Sequence, residues 1–290
     1  MLTMLRGVGD ALTHARLSLV AAAIVLNFAG FLATGERWRV VLAALGSRLR
    51  LTRTTLINLA GLFIRNSTPT TGLGGDAGRL ILFRADGVRL PQATAALAWV
   101  RLAEFPPIGV IVLVSAPAIT AWVRRSTTAL AVAAAVAIAV AGAAWLNRRR
   151  LSAQARDVWG RTAHLRINRV AMGLAIFYAT LAQLETLVRQ MCVSWACGFP
   201  LTFPQSCTVT AMAIVGGFVP TIGSVGAVDG SIVAALMLSG ADAKTAVAIT
   251  LVERLISYGS STAAGGAALA WLGGRGILRA VTEGTWVSSS

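Results

Sequence analysis

The sequence predicts an all-α, polytopic integral membrane protein with two inverted repeats, each containing a broken, re-entrant helix pair. Three observations support this class. Of the 290 residues, 56% are hydrophobic and only 13% are charged; long apolar stretches alternate with short basic segments; and two stretches rich in Gly and Pro interrupt the apolar pattern in a similar way. Because soluble domains carry charge on about a quarter of their residues, we expect this chain in a bilayer, as one transmembrane domain over residues 1–290.

Five segments are predicted to be full membrane spans, since a helix needs about 20 residues to cross the hydrocarbon core. They cover residues 17–34, with helix continuing toward Leu45, and then 92–119, 128–146, 168–197 and 243–272. Shorter apolar pieces lie on either side of the two interrupted stretches, at 54–64, 80–84, 206–219 and 231–239. These pieces are too short to cross unbroken, so each pair is predicted to enter as a half-helix, turn, and return.

The segment 147–169 is predicted to be a basic cytoplasmic loop, because it carries seven Arg against one Asp and positive charge favours the cytoplasmic side. This loop separates repeat A, about 17–146, from repeat B, about 168–279. The orientation places the amino terminus outside although it contains Arg6 and Arg16, which a missing first span or a surface helix would explain.

The net charge of +15 fits loops facing anionic lipid, and without a basic stripe interleaved with aromatic residues we expect no nucleic-acid partner.

An internal repeat relates the two interrupted stretches. Setting Pro69 against Pro220 aligns Gly72 with Gly223 and Gly75 with Gly226; with two extra residues in the second copy, Gly87 aligns with Gly240 and Arg101 with Arg254. Chance glycine matches are the alternative, since glycine is frequent in membrane helices. Three full spans separate the copies, and because an odd number reverses orientation, the repeats are predicted to be inverted, as in many alternating-access transporters.

The chemistry of the two stretches suits an anionic headgroup. Irregular backbone at membrane depth must line protein or a wet cavity, and we assign Pro69, Gly72, Pro220, Gly223 and Gly226 to the two turns, where Pro ends a half-helix and Gly allows positive φ or close approach. Freed backbone amides and guanidinium groups both bind phosphate oxygens. The residues expected at the substrate site are Arg65, Asn66, Gly74, Gly75, Asp76, Arg79, Arg84, Arg101, Glu104, Asp229, Glu253 and Arg254.

Several of these charges have a structural alternative, as interhelical ion pairs that fix packing. Arg101 and Glu104 are spaced i, i+3, and Glu185 and Arg189 are spaced i, i+4, so each pair can neutralise itself on one helix face. Glu253 and Arg254 are adjacent and need partners from other elements. We find no catalytic motif or metal-ligand spacing in the sequence, so no cofactor and no metal are expected, and transport would be passive or driven by an ion gradient.

Two stretches resemble a known family. "FIRNSTPTTGLGGDAGRLILFRADG", residues 63–87, and "VPTIGSVGAVDGSIVAALMLSGADAKTAVAITLVERL", residues 219–255, are similar to the signature regions of the lysylphosphatidylglycerol synthase transmembrane-domain family, also called flippase-like domains. The similarity extends from about Arg37 to Leu272. It implies a multi-pass protein of the bacterial inner membrane that moves a lipid between leaflets, either an anionic or aminoacylated phospholipid or an isoprenoid-linked lipid.

The resemblance leaves other functions open. The aminoacyl-transferring domain of two-part members is missing from this sequence, so we expect no synthase activity. One alternative is a membrane subunit that only binds lipid or serves as a scaffold for a separate lipid-modifying enzyme. Another is an enzyme acting on a polyprenyl phosphate, which would need carboxylates converging on a metal. A homodimer is also left open.

Overall fold

The computed structural model describes residues 16–68, 73–125, 167–217 and 226–273, and all regular elements in these ranges are helical. The predicted all-α class is therefore confirmed. In chain order the helices are α1 (Leu17–Ala44), α2 (Leu51–Ser67), α3 (Leu73–Ala85), α4 (Leu90–Arg125), α5 (Arg169–Ala196), α6 (Phe203–Gly216), α7 (Ala227–Leu238), α8 (Ala243–Arg254) and α9 (Ser260–Trp271). A π-helical turn, Leu255–Gly259, joins α8 to α9.

Among the described residues, three helices are long and apolar enough to cross a membrane: Leu17–Ala44, Leu90–Trp122 and Arg169–Ala196. They correspond to the predicted spans 17–34, 92–119 and 168–197. Each presents large apolar side chains outward, for example Val25, Leu113 and Val170, which are 68%, 74% and 71% exposed. Such side chains suit contact with lipid. The predicted span 128–146 and residues 147–166 of the basic loop lie outside the described ranges.

The predicted span 243–272 is a run of three helical segments, α8, the π turn and α9. The backbone is in the right-handed helical region at both junctions, at Leu255 and at Ser260, so the run continues without a break. Its segments have 12, 5 and 12 residues, so none of them alone is long enough to be among the three crossing helices. The π turn was not predicted.

Two pairs of short helices occur where the half-helices were predicted. Helices α3, α6 and α7 have 13, 14 and 12 residues, which at 1.5 Å per residue is about 18–21 Å, less than the hydrocarbon core of about 30 Å. Helix α2 packs on α3, and α6 packs on α7. The predicted pieces 54–64, 206–219 and 231–239 agree with α2, α6 and α7 to within a few residues.

The returning half-helix of the first pair, predicted to begin near Asp76 and Arg79 and to contain the apolar piece 80–84, is α3, which begins three residues before Asp76. Helix α3 begins at Leu73, so Gly74 and Gly75 are helical and do not form the turn. Asp76 lies in the first turn of α3, where a carboxylate stabilises the positive end of the helix. Gly75 serves close approach, because a Cβ there would lie 2.6 Å from the carbonyl oxygen of Gly61 on α2.

The turn residues themselves are only partly described. Pro69, Gly72, Pro220 and Gly223 lie outside the described ranges. Gly226 precedes α7 with φ +91°, as predicted for a glycine of the second turn.

The helices recur in the same order along the chain. Helices α1 and α5 both have 28 residues, and Arg169 starts α5 152 residues after Leu17 starts α1. The other equivalent helices start at nearly the same spacing. It is 152 residues from Leu51 of α2 to Phe203 of α6, 154 from Leu73 of α3 to Ala227 of α7, and 153 from Leu90 of α4 to Ala243 of α8. Gly46 and Gly198, also 152 residues apart, both have positive φ, as do Gly87 and Gly240. Whether the two halves are inverted in a membrane stays a prediction.

Three apolar clusters form the core of the described part of the chain. The first joins residues of α1 to α5 and α9 around Trp38 and Phe83, whose ring centroids are 5.1 Å apart. The second joins residues of α5 to α8, with one residue each of α1 and the π turn, around Leu201, Val209 and Leu236. A smaller third cluster joins α4, α5 and α6. These clusters fix the helices whose polar side chains meet in the cavity described next.

Candidate functional site

A polar cavity of about 300 Å³ lies among α1, α2, α4 and α5, with further walls from α3, the π turn and α9. Its lining is unusually rich in charge for a membrane protein: five arginines and two glutamates, namely Arg37, Arg65, Arg79, Arg101, Arg189, Glu104 and Glu185. Charged groups inside membrane helices are costly and commonly mark a substrate pathway. The cavity is therefore the candidate functional site.

Five of the charges on α1, α3 and α4 form an alternating chain. Asp76 accepts hydrogen bonds from Arg79 Nη1 at 2.7 Å and from Arg101 Nη2, at 2.9 Å to Oδ1 and 2.7 Å to Oδ2. Arg101 Nη1 also donates to Glu104 Oε2 at 3.1 Å. Arg37 Nη2 completes the chain by donating to Glu104 Oε1 at 2.7 Å. Arg101 is the most exposed member, with 47% of its side chain accessible, so it is the member best placed to meet a ligand.

Helix α2 is shaped to hold Arg79. Arg79 Nε donates to Asn58 Oδ1 at 3.2 Å, and the residue is only 5% exposed. A Cβ at Gly61 would lie 2.5 Å from Arg79 Cγ and 2.7 Å from its Nε. Glycine at position 61 therefore leaves the space in which the Arg79 side chain crosses α2.

Helices α5, α7 and α8 carry a second set of ion pairs. Arg189 Nε donates to Glu185 Oε1 at 2.7 Å, and Arg189 Nη1 donates to Glu253 Oε1. Arg254 Nε donates to Asp229 Oδ1, while Asp229 Oδ2 accepts from the backbone N–H of Gly226 at 2.9 Å. The prediction that Glu253 and Arg254 take partners from other elements is confirmed.

The two sets of pairs are related by the recurrence of the helices. Asp76 and Arg101 are 25 residues apart, as are Asp229 and Arg254. Arg37 and Arg189 are each the twenty-first residue of a 28-residue helix, and each donates to a glutamate on a later helix.

The halves nevertheless differ in charge. The position in the second half that corresponds to Arg79 is Ile232, at the same 153-residue spacing that separates Arg101 from Arg254. The position that corresponds to Arg65 is Gly217, at the 152-residue spacing that separates α2 from α6. The extra guanidinium groups thus belong to the first half only.

Some hydrogen-bond donors in the cavity have no partner among the described residues. Arg37 Nε and Asn58 Nδ2 are buried and have no hydrogen-bond partner within the described part of the chain, and both residues line the cavity. Arg65, which also lines it and is exposed, forms no hydrogen bond or ion pair with any described residue, whereas the other four arginines all do. Buried donors without partners cost free energy, so the site suits a ligand rich in acceptor oxygens.

Of the predicted site residues, Arg65, Arg79, Arg101 and Glu104 line the cavity, and the others do not. Asp76 and Glu253 bind arginines that line it. Asp229 and Arg254 pair with each other, and Gly74 and Gly75 belong to α3. Arg84 lies exposed near the end of α3.

Asn66 has a role in packing. Its Nδ2 donates to the hydroxyls of Ser261 and Thr262 at 3.1 and 3.0 Å, and its backbone carbonyl accepts from Tyr258 Oη at 2.9 Å. These three bonds fasten the end of α2 to the π turn and α9.

Sequence reasoning omitted most of the cavity lining from the site, including Arg37, Asn58, Glu185 and Arg189. Arg37 and Arg189 could have been found by treating every arginine inside a predicted span as a candidate. Asn58 gave no such signal, because a single Asn in an apolar half-helix has many structural uses.

An apolar groove of about 190 Å³ adjoins the cavity. It lies among α4, α5 and α6, and its walls include Pro106, Pro107, Leu184 and Leu187. Gln183 lines both the groove and the cavity. The polar cavity and the apolar groove therefore share a wall at Gln183.

A family model described as the lysylphosphatidylglycerol synthase TM region matches residues 2–265, most of the chain. No individually curated protein matches the chain. The family match confirms the resemblance predicted from residues 63–87 and 219–255. Together with the three crossing helices, it shows a membrane protein with a lipid-related role: the chain belongs to the lysylphosphatidylglycerol synthase transmembrane-region family.

Proposed function

We propose that the chain is a lipid flippase that holds the anionic headgroup of a membrane lipid in the arginine-lined cavity while the lipid passes between leaflets. One observation carries the proposal: Arg65 faces the cavity without a partner among the described residues, beside the buried and unpaired donors Arg37 Nε and Asn58 Nδ2. Phosphate oxygens are strong acceptors that guanidinium binds through parallel hydrogen bonds.

The charges favour a headgroup with a single negative charge. Four of the five cavity arginines bind four carboxylates, those of Asp76, Glu104, Glu185 and Glu253. One positive charge, that of Arg65, is left over. A phosphodiester carries one negative charge and four oxygens, so it would complement both this charge and the unpaired donors.

The adjoining groove favours a lipid over a free anion. A cavity of about 300 Å³ accommodates a polar headgroup, and the groove beyond Gln183 offers an apolar surface for the beginning of an acyl chain. The rest of the chain would stay in the bilayer, which avoids the cost of moving apolar surface into water.

The recurrence of helices supports movement over simple binding. Two halves with the same helix order and matching Asp–Arg pairs are what alternating access between inverted repeats requires. A scaffold subunit would have no need of a polar cavity between such halves. We therefore propose that the short pairs α2–α3 and α6–α7 are re-entrant elements of a transporter.

The test is lipid translocation by the purified full chain in phosphatidylcholine vesicles that contain phosphatidylglycerol with a fluorescent acyl chain. A membrane-impermeant reductant bleaches label in the outer leaflet, so the loss of protected signal reports flipping. We expect Arg65→Gln to fold normally, since Arg65 has no described partner to lose. A hydrogen-bonded charge contributes about 1.5–3 kcal/mol, so headgroup binding and the rate at low lipid density should fall roughly 10- to 100-fold.

Arg39→Gln is the matched control, because Arg39 pairs with Glu36 on α1 and does not line the cavity. It should flip lipid at the wild-type rate. If Arg65→Gln also does so, the cavity is not the headgroup site. If wild-type vesicles flip no faster than protein-free ones while the protein still retains labelled phosphatidylglycerol in detergent, the chain is a lipid-binding subunit and the flippase proposal fails.

A further inference from the structure

Two carboxylates share one arginine at the edge of the cavity. Arg189 binds both Glu185 and Glu253, and the side chains of Glu185, Arg189 and Glu253 are only 11%, 6% and 6% exposed. This group, which we call the Glu–Arg–Glu triad, has a net charge of −1 when both carboxylates are ionised. Removing a net charge from water is costly unless a partner neutralises it.

The neighbouring charged groups form no hydrogen bond with the free oxygen of the triad, and Arg65, which lines the same cavity, forms no described ion pair with either carboxylate. On α8, Arg254 is engaged by Asp229 of α7. On α1 and α4, Arg37 and Arg101 are engaged by Glu104 and Asp76. Tyr258 of the π turn donates to the carbonyl oxygen of Asn66. From α6, Ser206 and Thr210 donate to Gln190 of α5, and Cys207 packs against Leu187.

One oxygen of the triad is unsatisfied. Glu253 Oε2 is buried and accepts no hydrogen bond from any described residue, although Glu253 Oε1 is bound by Arg189. The outer oxygen of the other carboxylate, Glu185 Oε2, accepts from Thr186 Oγ1 at 3.3 Å. A carboxylate oxygen that lacks donors gains the most from binding a proton.

The geometry points to a proton-binding site: we propose that the carboxylates of Glu185 and Glu253, bridged by Arg189, together take up one proton. Hydronium in the cavity would transfer its proton to the pair, forming one carboxyl O–H and releasing water, and the triad would become neutral. Glu185 lines the cavity and Glu253 does not, so the proton would enter at Glu185. Because the sites interact, the proton belongs to the pair and not to either residue alone.

Gly30 of α1 keeps the entry carboxylate in place. A Cβ at Gly30 would lie 2.6 Å from Glu185 Oε2, so glycine leaves room for this oxygen against α1. A larger side chain at position 30 would require this oxygen to shift.

The triad would couple a proton to the lipid, an extension that rests on the proposed flippase function. Glu185 and Arg65 line the same cavity, so an anionic headgroup at Arg65 would be repelled by a negative triad and not by a neutral one. Protonation would then favour headgroup binding, and headgroup binding would favour protonation by the same factor. The expected result is movement of the anionic lipid together with a proton.

Infrared difference spectroscopy of the purified full chain during a pH titration tests the site without any lipid transport. We expect a carbonyl band of one protonated carboxyl that appears on acidification in the wild type and is lost in Glu253→Gln. This variant should fold, because the amide is neutral and keeps the shape of the side chain; Glu185→Gln is a second variant that removes the same shared proton. Glu36→Gln, which changes a carboxylate paired with Arg39 outside the cavity, should keep the band. A titration unchanged in both Glu253→Gln and Glu185→Gln would overturn the proton site.

A pH gradient across the flippase vesicles tests the coupling. Translocation of labelled phosphatidylglycerol should depend on the gradient in the wild type and lose that dependence in Glu253→Gln. A wild-type rate that ignores the gradient overturns the coupling. Wild-type vesicles without any translocation would overturn the proposed function instead, and the infrared titration would still decide whether the triad binds a proton.

Discussion

Gly75→Ala tests whether the close contact of α2 and α3 shapes the site. A Cβ at position 75 would lie 2.6 Å from the carbonyl oxygen of Gly61 and 2.8 Å from Cβ of Arg65. Ordinary contact begins at 3.4 Å, so the helices would have to separate by about 0.8 Å at this point. Backbone atoms of α2 cannot rotate away as a side chain could.

The expected cost follows from two opposing effects. Overpacking of a tight contact costs about 1–3 kcal/mol, whereas replacing glycine in a helix by alanine contributes up to about 1 kcal/mol of stability. Since the obstacle is backbone, we expect a net loss of about 1–2 kcal/mol for Gly75→Ala. Gly230 of α7 has no atom within 4 Å of its Cβ position, so Gly230→Ala should be neutral or stabilise by up to about 1 kcal/mol.

Thermal unfolding in detergent with a thiol-reactive fluorophore measures this difference. Cys207 is free and 1% exposed, so unfolding makes its thiol available for labelling. The midpoint should fall for Gly75→Ala and hold or rise for Gly230→Ala. If both alanine variants shift the midpoint in the same direction by the same amount, the contact between α2 and α3 does not constrain position 75.

Two further predictions concern buried polar residues. Asn66→Ala should destabilise the protein by about 1–3 kcal/mol, because it removes both hydrogen bonds to Ser261 and Thr262. Ser67→Ala, at an exposed neighbour, should leave the midpoint of thermal unfolding unchanged. Equal shifts in the two variants would contradict the role of Asn66. Arg79→Ala should lower the free energy of unfolding by about 3 kcal/mol, near the lower end for breaking a buried ion pair, because Asp76 keeps its bonds to Arg101. Chemical denaturation measures this change. A midpoint equal to that of the wild type would show that the Arg79–Asp76 pair adds nothing to stability.

The sequence was sufficient for the helices whose signal is local. Helices α1, α4 and α5 follow from uninterrupted apolar length, and α6 and α7 from apolar pieces bounded by Gly and Pro. The i, i+3 pair Arg101–Glu104 and the i, i+4 pair Glu185–Arg189 follow from helical spacing, and both form.

The rest depends on contacts between elements. The glycines between Pro69 and Asp76 indicate a turn, yet α3 begins at Leu73, three residues before the start predicted at Asp76, and its Gly75 packs on Gly61 of α2. The pairs Arg37–Glu104 and Arg189–Glu253 join residues 67 and 64 positions apart, which no local pattern reveals. The cavity itself exists only where six helices and the π turn meet.

The π turn after Arg254 changes which way the second half of one long helix faces relative to the first half. A turn closed through i+5 bonds holds about one more residue than an α-helical turn, and one residue corresponds to about 100° of rotation. Glu253 therefore faces Arg189 at one end, while Ser261 and Thr262 face Asn66 at the other. Loss of a single residue between Leu255 and Gly259 would leave the composition of both ends intact yet rotate one of them away from its partner.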